Sequence, residues 1–244
     1  MCACTAVQAQ RQASPDAQIL QRAAVVAQGA RISLLADQVT VDAALLPLLE
    51  KALDQMEVLT GRTLDIATMG PRVQVVVSAQ TRVSHVWRGY EHPLDPRALV
   101  FLAPRVAHDA MRGLNATYVH ELAHVLTWRY HSHTLREGLA DYLALQVVPG
   151  AGVGPNRAGV PPPGRVTPQI SALLGSSTPS PAWLTTDAEL RREYYWASRR
   201  FVQHLIELKG LETFMRLYES PQPEQLLPEF YGTDQATLVQ QAGL

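Results

Sequence analysis

The chain reads as an α+β protein, a small mixed β sheet with one long helix followed by a mainly helical C-terminal lobe. Three observations predict this. Strand-like runs rich in β-branched and leucine residues ("ARISLLAD", "RVQVVVSA", "RALVFLAP") all fall within residues 30–112. Between the first two, Leu45, Leu46, Leu49, Leu53, Met56 and Leu59 recur at helical spacing. Beyond residue 113 the strand signals stop and helical periodicity takes over. With 244 residues, 47% of them hydrophobic and 18% charged, the chain can bury a sizeable core and reads as one domain of two lobes.

Residues 1–29 are rich in Ala and Gln and are expected to be flexible or loosely helical. Cys2 and Cys4 are separated by one residue, an awkward spacing for a mutual disulfide. The opening "MCACTAVQAQ" lacks a charged n-region and a full apolar h-region, yet "VQAQ" fits the cleavage site of a longer leader. An extracytoplasmic bacterial protein, periplasmic, secreted or lipid-anchored, is the expectation from that fragment.

The N-terminal lobe, residues 30–112, begins with "ARISLLAD" as a strand. The helix that follows starts near Pro47, because proline is tolerated only in a first turn, and ends at the cap residue Gly61. "RVQVVVSA" follows the turn signal Gly70-Pro71. "TRVSHVWRGY" is a further strand or hairpin arm, and "RALVFLAP" the next strand. The C-terminal lobe, residues 113–244, opens with a helix over Asn115–Tyr130, with Asn115 as N-cap. A second runs over Thr134–Val147, with Thr134 and Glu137 spaced as a capping box. The Pro/Gly-rich segment 149–168 is loop. "AELRREYYWASRRFVQHLIELKG" is a long amphipathic helix ending at Gly210, and two shorter helices follow.

The formal net charge is -1 and no basic stripe is present, so nucleic acid is not expected as a partner. No apolar run approaches the roughly 18 residues of a spanning helix.

The chemistry concentrates in "NATYVHELAHVLTWRYHSHTLREGLADYLAL". His120 and His124 are four apart, so both imidazoles leave one helix face and can reach one metal ion. Glu121 points about 100° round the helix, near enough to act on a water without binding the metal. This is the H-E-x-x-H pattern. Its apolar surroundings predict burial, and buried imidazoles with a buried carboxylate are costly unless a cation or other partner satisfies them. A metzincin-type third ligand is excluded, because Thr127 and Tyr130 stand where glycine and histidine are required. His131 and His133 fit a solvated turn. Glu137, carried back by an antiparallel second helix, is the better third ligand, with Gly138 and Ala140 allowing the helices to approach. Asp141, one turn on, is placed to accept the second ring N–H of a liganding histidine, most simply His120.

"HELAHVLTWRY" with "LREGLADYLA" resembles the gluzincin metallopeptidases, the thermolysin-like class, in its short bacterial type. The resemblance continues in "YYWASRRFVQHLIELKG", through Tyr195, Ser198 and Phe201, and less specifically in "LLEKALDQMEVLTGR". It spans most of residues 31–220. It implies a zincin-like fold, Zn2+ held by His120, His124 and Glu137, Glu121 as general base, and a peptide or protein substrate. It also implies a tyrosine hydroxyl at the oxyanion, with Tyr195 preferred to Tyr194 and the histidines His85 and His204 as alternatives. An edge strand near "RVSHVWRGY" would form the cleft lip, with Trp87 and Tyr90 lining it. One departure is visible: where such proteins often carry Pro-x-Trp before Glu-Gly, this chain has "SHTLREG". Two other functions fit the same residues: a non-catalytic, metal-bearing binding or assembly module, and a zinc hydrolase of a non-peptide amide.

Overall fold

A computed structural model of the chain describes residues 14–88, 98–153 and 187–244. The N-terminal part holds a five-stranded mixed sheet, and a mainly helical part follows. The strands are β1 (Ala24–Gln28), β2 (Ile32–Asp37), β3 (Val73–Ser78), β4 (His85–Arg88) and β5 (Ala98–Leu102), in spatial order β1-β2-β3-β5-β4. β2, β3 and β5 run parallel, in register Ile32 to Val73 and Val75 to Val100. β1 and β4 are antiparallel outer strands, with Ala24 opposite Ala36 and His85 opposite Phe101.

The three central strands are apolar on both faces because both faces are covered. One face presents Leu34, Val75, Val77, Val100 and Leu102 to the helix α2 (Leu45–Thr60), whose Leu45, Leu49, Leu53 and Met56 are buried against them. Gly61 ends α2 with φ +64°, a left-handed turn that suits glycine. The other face presents Leu35, Val76, Leu99 and Phe101 to Ile19 of α1 (Pro15–Arg22). Among the described residues, the short α3 (Ile66–Met69) lies between α2 and β3, and α4 (Pro104–Ala110) follows β5.

Next come α5 (Thr117–Leu126), α6 (His133–Val147), α7 (Ala188–Tyr218), α8 (Pro223–Tyr231) and α9 (Gln235–Gln241). Val119, Leu122, Leu139, Leu143, Tyr194 and Phe201 from this part join the same apolar core as the inner sheet face. No helix among the described residues is long and apolar enough to cross a membrane.

Several expectations need correction. Residues 15–28, expected to be flexible or loosely helical, form α1 and β1. The strand pairs with β2, and Arg22 binds Asp37 through two bonds of 3.0 and 3.1 Å. The N-cap of α6 is Ser132, whose Oγ accepts from the Leu135 amide at 3.4 Å. Thr134 lies inside the helix and its hydroxyl meets the Tyr194 hydroxyl at 3.1 Å, so no capping box forms. Asn115 precedes the cap residue of α5, yet its Oδ1 still accepts from the Thr117 amide at 2.7 Å. The helix end expected at Gly210 is present: its φ of +81° breaks α7 there, and a shorter helix follows to Tyr218. Residues 1–13, which include Cys2 and Cys4, lie outside the described residues. So do Tyr90 and positions 154–168 of the Pro/Gly-rich segment.

Candidate metal centre

The site is built on the α5–α6 hairpin. α5 is buried along its whole length, which apolar neighbours such as Val119, Leu122 and Val125 make favourable. Its first turn is tied to the segment after α6: Ala116 donates to the Gly152 carbonyl at 2.8 Å, and Gly152 donates to the Leu114 carbonyl at 3.1 Å. Its last turn is tied to α7, where the Tyr218 hydroxyl donates to the Thr127 carbonyl at 2.8 Å. α6 is pressed onto α7 at Gly138, where a Cβ would collide with the Ser198 carbonyl and Val202. The smallness of Gly138 therefore serves the α6–α7 contact rather than the approach of α6 to α5 anticipated from sequence.

This framework brings His120, His124 and Glu137 together, all buried. The two Nε2 atoms are 3.0 Å apart, and Glu137 Oε2 lies 3.3 Å from His120 Nε2 and 3.4 Å from His124 Nε2. Ligand atoms about 2.0–2.2 Å from a tetrahedral zinc ion stand about 3.3–3.5 Å from one another. The triangle matches that geometry with little adjustment. Behind it, His120 Nδ1 donates to Asp141 Oδ1 at 2.8 Å, the arrangement that fixes a liganding imidazole in one tautomer. His124 Nδ1 and Glu137 Oε1 are buried with no hydrogen-bond partner among the described residues. The donor set therefore fits a divalent cation. Two imidazoles and one carboxylate leave a fourth position, as catalytic zinc sites do and structural ones do not.

Electrostatics agree with this arrangement. Burial, with the Arg136 cation nearby, pushes His124 down to about 3, so it stands neutral and ready to ligate. Burial alone would also depress His120 and raise Glu137. Instead, Asp141 and Glu137 hold His120 well above the usual histidine range, and the two imidazoles hold Glu137 well below the usual carboxylate range. The proton so favoured on His120 does what a cation at the same three atoms would do. Burial pushes Glu121 up to about 7 and raises Asp141. A dication at the triad would draw Glu121 back down.

A cavity of about 450 Å³ opens beside the triad, lined by His120, Glu121, Asp141 and Tyr195 together with residues from the β3–β4 turn and α4. Tyr195 faces this cavity, with its ring centroid 6.1 Å from that of His120. Tyr194 points the other way and is fully buried against Thr134. Burial raises the Tyr195 hydroxyl well above the usual tyrosine range, so it stays a donor.

The other histidines among the described residues are not part of the triad. His131 is exposed, and His133 begins α6 with its ring 5.5 Å from that of Tyr130. His204 does not line the cavity. His85 does, but its Nδ1 lies 2.9 Å from the Val83 carbonyl and its Nε2 3.0 Å from Asp16 Oδ2. Both partners accept, so both ring nitrogens carry protons. These bonds outweigh burial and raise the pKa of His85. Trp87 does not line the cavity; it lies on the same sheet face as His85, and its ring centroid is 6.5 Å from that of Phe101. Arg82 and Arg191 line the cavity and went unnoticed in the sequence, although Arg191 stands one helical turn before Tyr195.

Compared with known proteins, the chain matches no family model and no curated sequence.

Proposed function

We propose that the chain is a zinc-dependent metallopeptidase of gluzincin type, with a zincin-like fold, that hydrolyses peptide bonds. The observation that carries this reading is the triangle of His120, His124 and Glu137 beside a cavity that Glu121 and Tyr195 also line. Zinc bound there would supply Lewis acidity and make an attacking water available near neutral pH. Glu121 accepts the proton from the attacking water and passes it to the leaving amine. The Tyr195 hydroxyl donates to the oxygen that gains charge as the carbonyl becomes tetrahedral. Asp141 holds the His120 ring in place, and the Tyr218–Thr127 bond holds the end of α5.

The test combines elemental analysis with hydrolysis of a mixed peptide pool, with and without chelator. The expected result is about one zinc per chain, chelator-sensitive cleavage, and loss of metal in His124→Ala. Zinc without cleavage of any peptide would turn the reading into the metal-bearing binding module. Absence of zinc from protein made in zinc-replete medium would overturn it entirely.

A further inference from the structure

The cavity beside the triad carries two cations that the proposed chemistry does not use. Arg82 comes from the turn between β3 and β4, and Arg191 from the first turns of α7. Arg191 precedes Tyr195 by four residues, so the two side chains leave one helix face a turn apart. Neither guanidinium has an ion-pair or hydrogen-bond partner among the described residues. Arginines elsewhere do: Arg22 with Asp37, Arg31 with Glu50, Arg62 with Glu219, Arg129 with Asp65. Of the two acids lining the cavity, Asp141 is bonded to His120, which leaves Glu121. His85 lines the wall too, but Asp16 offsets its charge. A dication at the triad would make the cleft more positive still, although the whole chain carries a formal charge of only -1. Val83, Ala103 and Val106 supply an apolar stretch of the same wall.

The geometry points to a cleft that selects peptides carrying a carboxylate close to the scissile bond, with Arg82 and Arg191 as its guanidinium contacts. This rests on the metallopeptidase reading above. A guanidinium presents a planar fork of donors that matches a carboxylate, and its charge strengthens the bonds. The carboxylate belongs either to an Asp or Glu side chain or to the peptide C-terminus, and both present the same group.

The test uses zinc-loaded Glu121→Gln protein and three dye-labelled hexapeptides that differ in one group. The first is C-amidated with a central Gln, the second has Glu in place of that Gln, and the third keeps Gln but has a free C-terminus. Fluorescence polarisation reads binding without turnover. At least one of the two charged peptides is expected to bind about tenfold to a hundredfold tighter than the neutral one. Whichever does identifies the source of the carboxylate. Adding Arg191→Gln or Arg82→Gln is expected to remove most of that preference, and Arg191→Lys to restore part of it. Zinc content and thermal unfolding of each variant check that the site is intact. Equal binding of all three peptides, no binding of any, or a preference unchanged in both Gln variants would overturn the inference. Cleavage by the wild type without a carboxylate preference would leave the peptidase reading standing and remove this one. A carboxylate preference without cleavage would do the reverse.

Discussion

Asp37 and Glu137 are both buried carboxylates, and the chain treats them in opposite ways. Asp37 is satisfied by donors of its own fold. Arg22 grips both oxygens, and the Ser78 hydroxyl donates to Oδ2 at 2.8 Å. Glu137 instead has one oxygen facing two imidazole nitrogens and the other with no hydrogen-bond partner among the described residues. The first is a closed cluster that fastens α1 and β1 to the sheet. At the second, Arg136 Nε stands 3.7 Å from Oε1, an ion-pair distance without a hydrogen bond, and Oε2 shares with the two imidazole nitrogens a point that a proton or a cation would fill. A buried polar group whose partners converge on a common point, rather than on one another in donor–acceptor pairs, is the mark of a ligand site. Changes at the first cluster should therefore alter stability, and changes at the second should alter metal and chemistry.

The largest separation is expected from Glu121→Gln. It removes the proposed proton acceptor and leaves the triad untouched. Hydrolysis should fall about 10²–10⁴-fold, the contribution typical of a positioned general base, while zinc content and thermal midpoint stay near wild type. A variant that keeps its turnover would remove Glu121 from the mechanism. One that loses zinc would make it a ligand.

Tyr195→Phe should cost about 10²–10³ in kcat, the usual effect of removing one oxyanion donor. KM should move less, because the proposed bond would be made fully only in the transition state. Tyr194→Phe should behave like a change in the Asp37 cluster. It breaks the bond to Thr134 and lowers stability, with little effect on kcat in the fraction that remains folded. If the two outcomes were exchanged, the assignment of these neighbours to site and core would be wrong.

Asp141→Ala lies between the two regions. It deletes the acceptor behind His120 and should weaken zinc affinity about 10–100-fold, measured by competition with a coloured chelator. Unchanged affinity would make Asp141 another structural acid, like Asp37.

How much of this was legible in the sequence depends on how local the determining contact is. The histidines four apart, the hairpin and the return of Glu137 follow from helical geometry, and their atoms do lie within 4.8 Å of one another. The central strands and α2 announce themselves through long apolar patterns. α1 and β1 do not. Only Ile19 of α1 is buried, and no residue of β1 is, so the segment has little periodicity to read. What holds it is the Arg22–Asp37 bond, fifteen residues apart in sequence, and the pairing with β2. The cap of α6 is ambiguous in the sequence, because Ser132 and Thr134 are both good cap formers. What draws Thr134 away is Tyr194, sixty residues distant. Arg191 could have been found, since it stands four residues before the tyrosine already singled out. Arg82 could not, because only the fold brings the β3–β4 turn to the mouth of the site.

The smallest expected effect concerns the closed cluster and its pH dependence. Arg22 and Ser78, outweighing burial, hold Asp37 below its ordinary carboxylate range. A depressed folded-state pKa means that the stabilisation is fully present above the unfolded value of about 3.9 and is lost as pH falls through the folded value. Asp37→Asn removes the charge and keeps the shape. Hydrogen bonds to charged groups contribute about 1.5–3 kcal/mol. Here the Arg22 side chain is 37% exposed, so solvent screening reduces the expected loss to about 1–2 kcal/mol at neutral pH. Urea unfolding of wild type and variant across the acid range, with chelator present so that metal makes no contribution, measures the difference directly. It should hold constant down to about pH 5 and shrink below about pH 4, as Asp37 in the unfolded chain and then in the folded one takes up its proton. Other carboxylates titrate in both proteins and cancel in the difference. A gap that stays the same at every pH would mean that the Asp37 charge contributes nothing to holding α1 and β1, and that the cluster stands on its neutral hydrogen bonds alone.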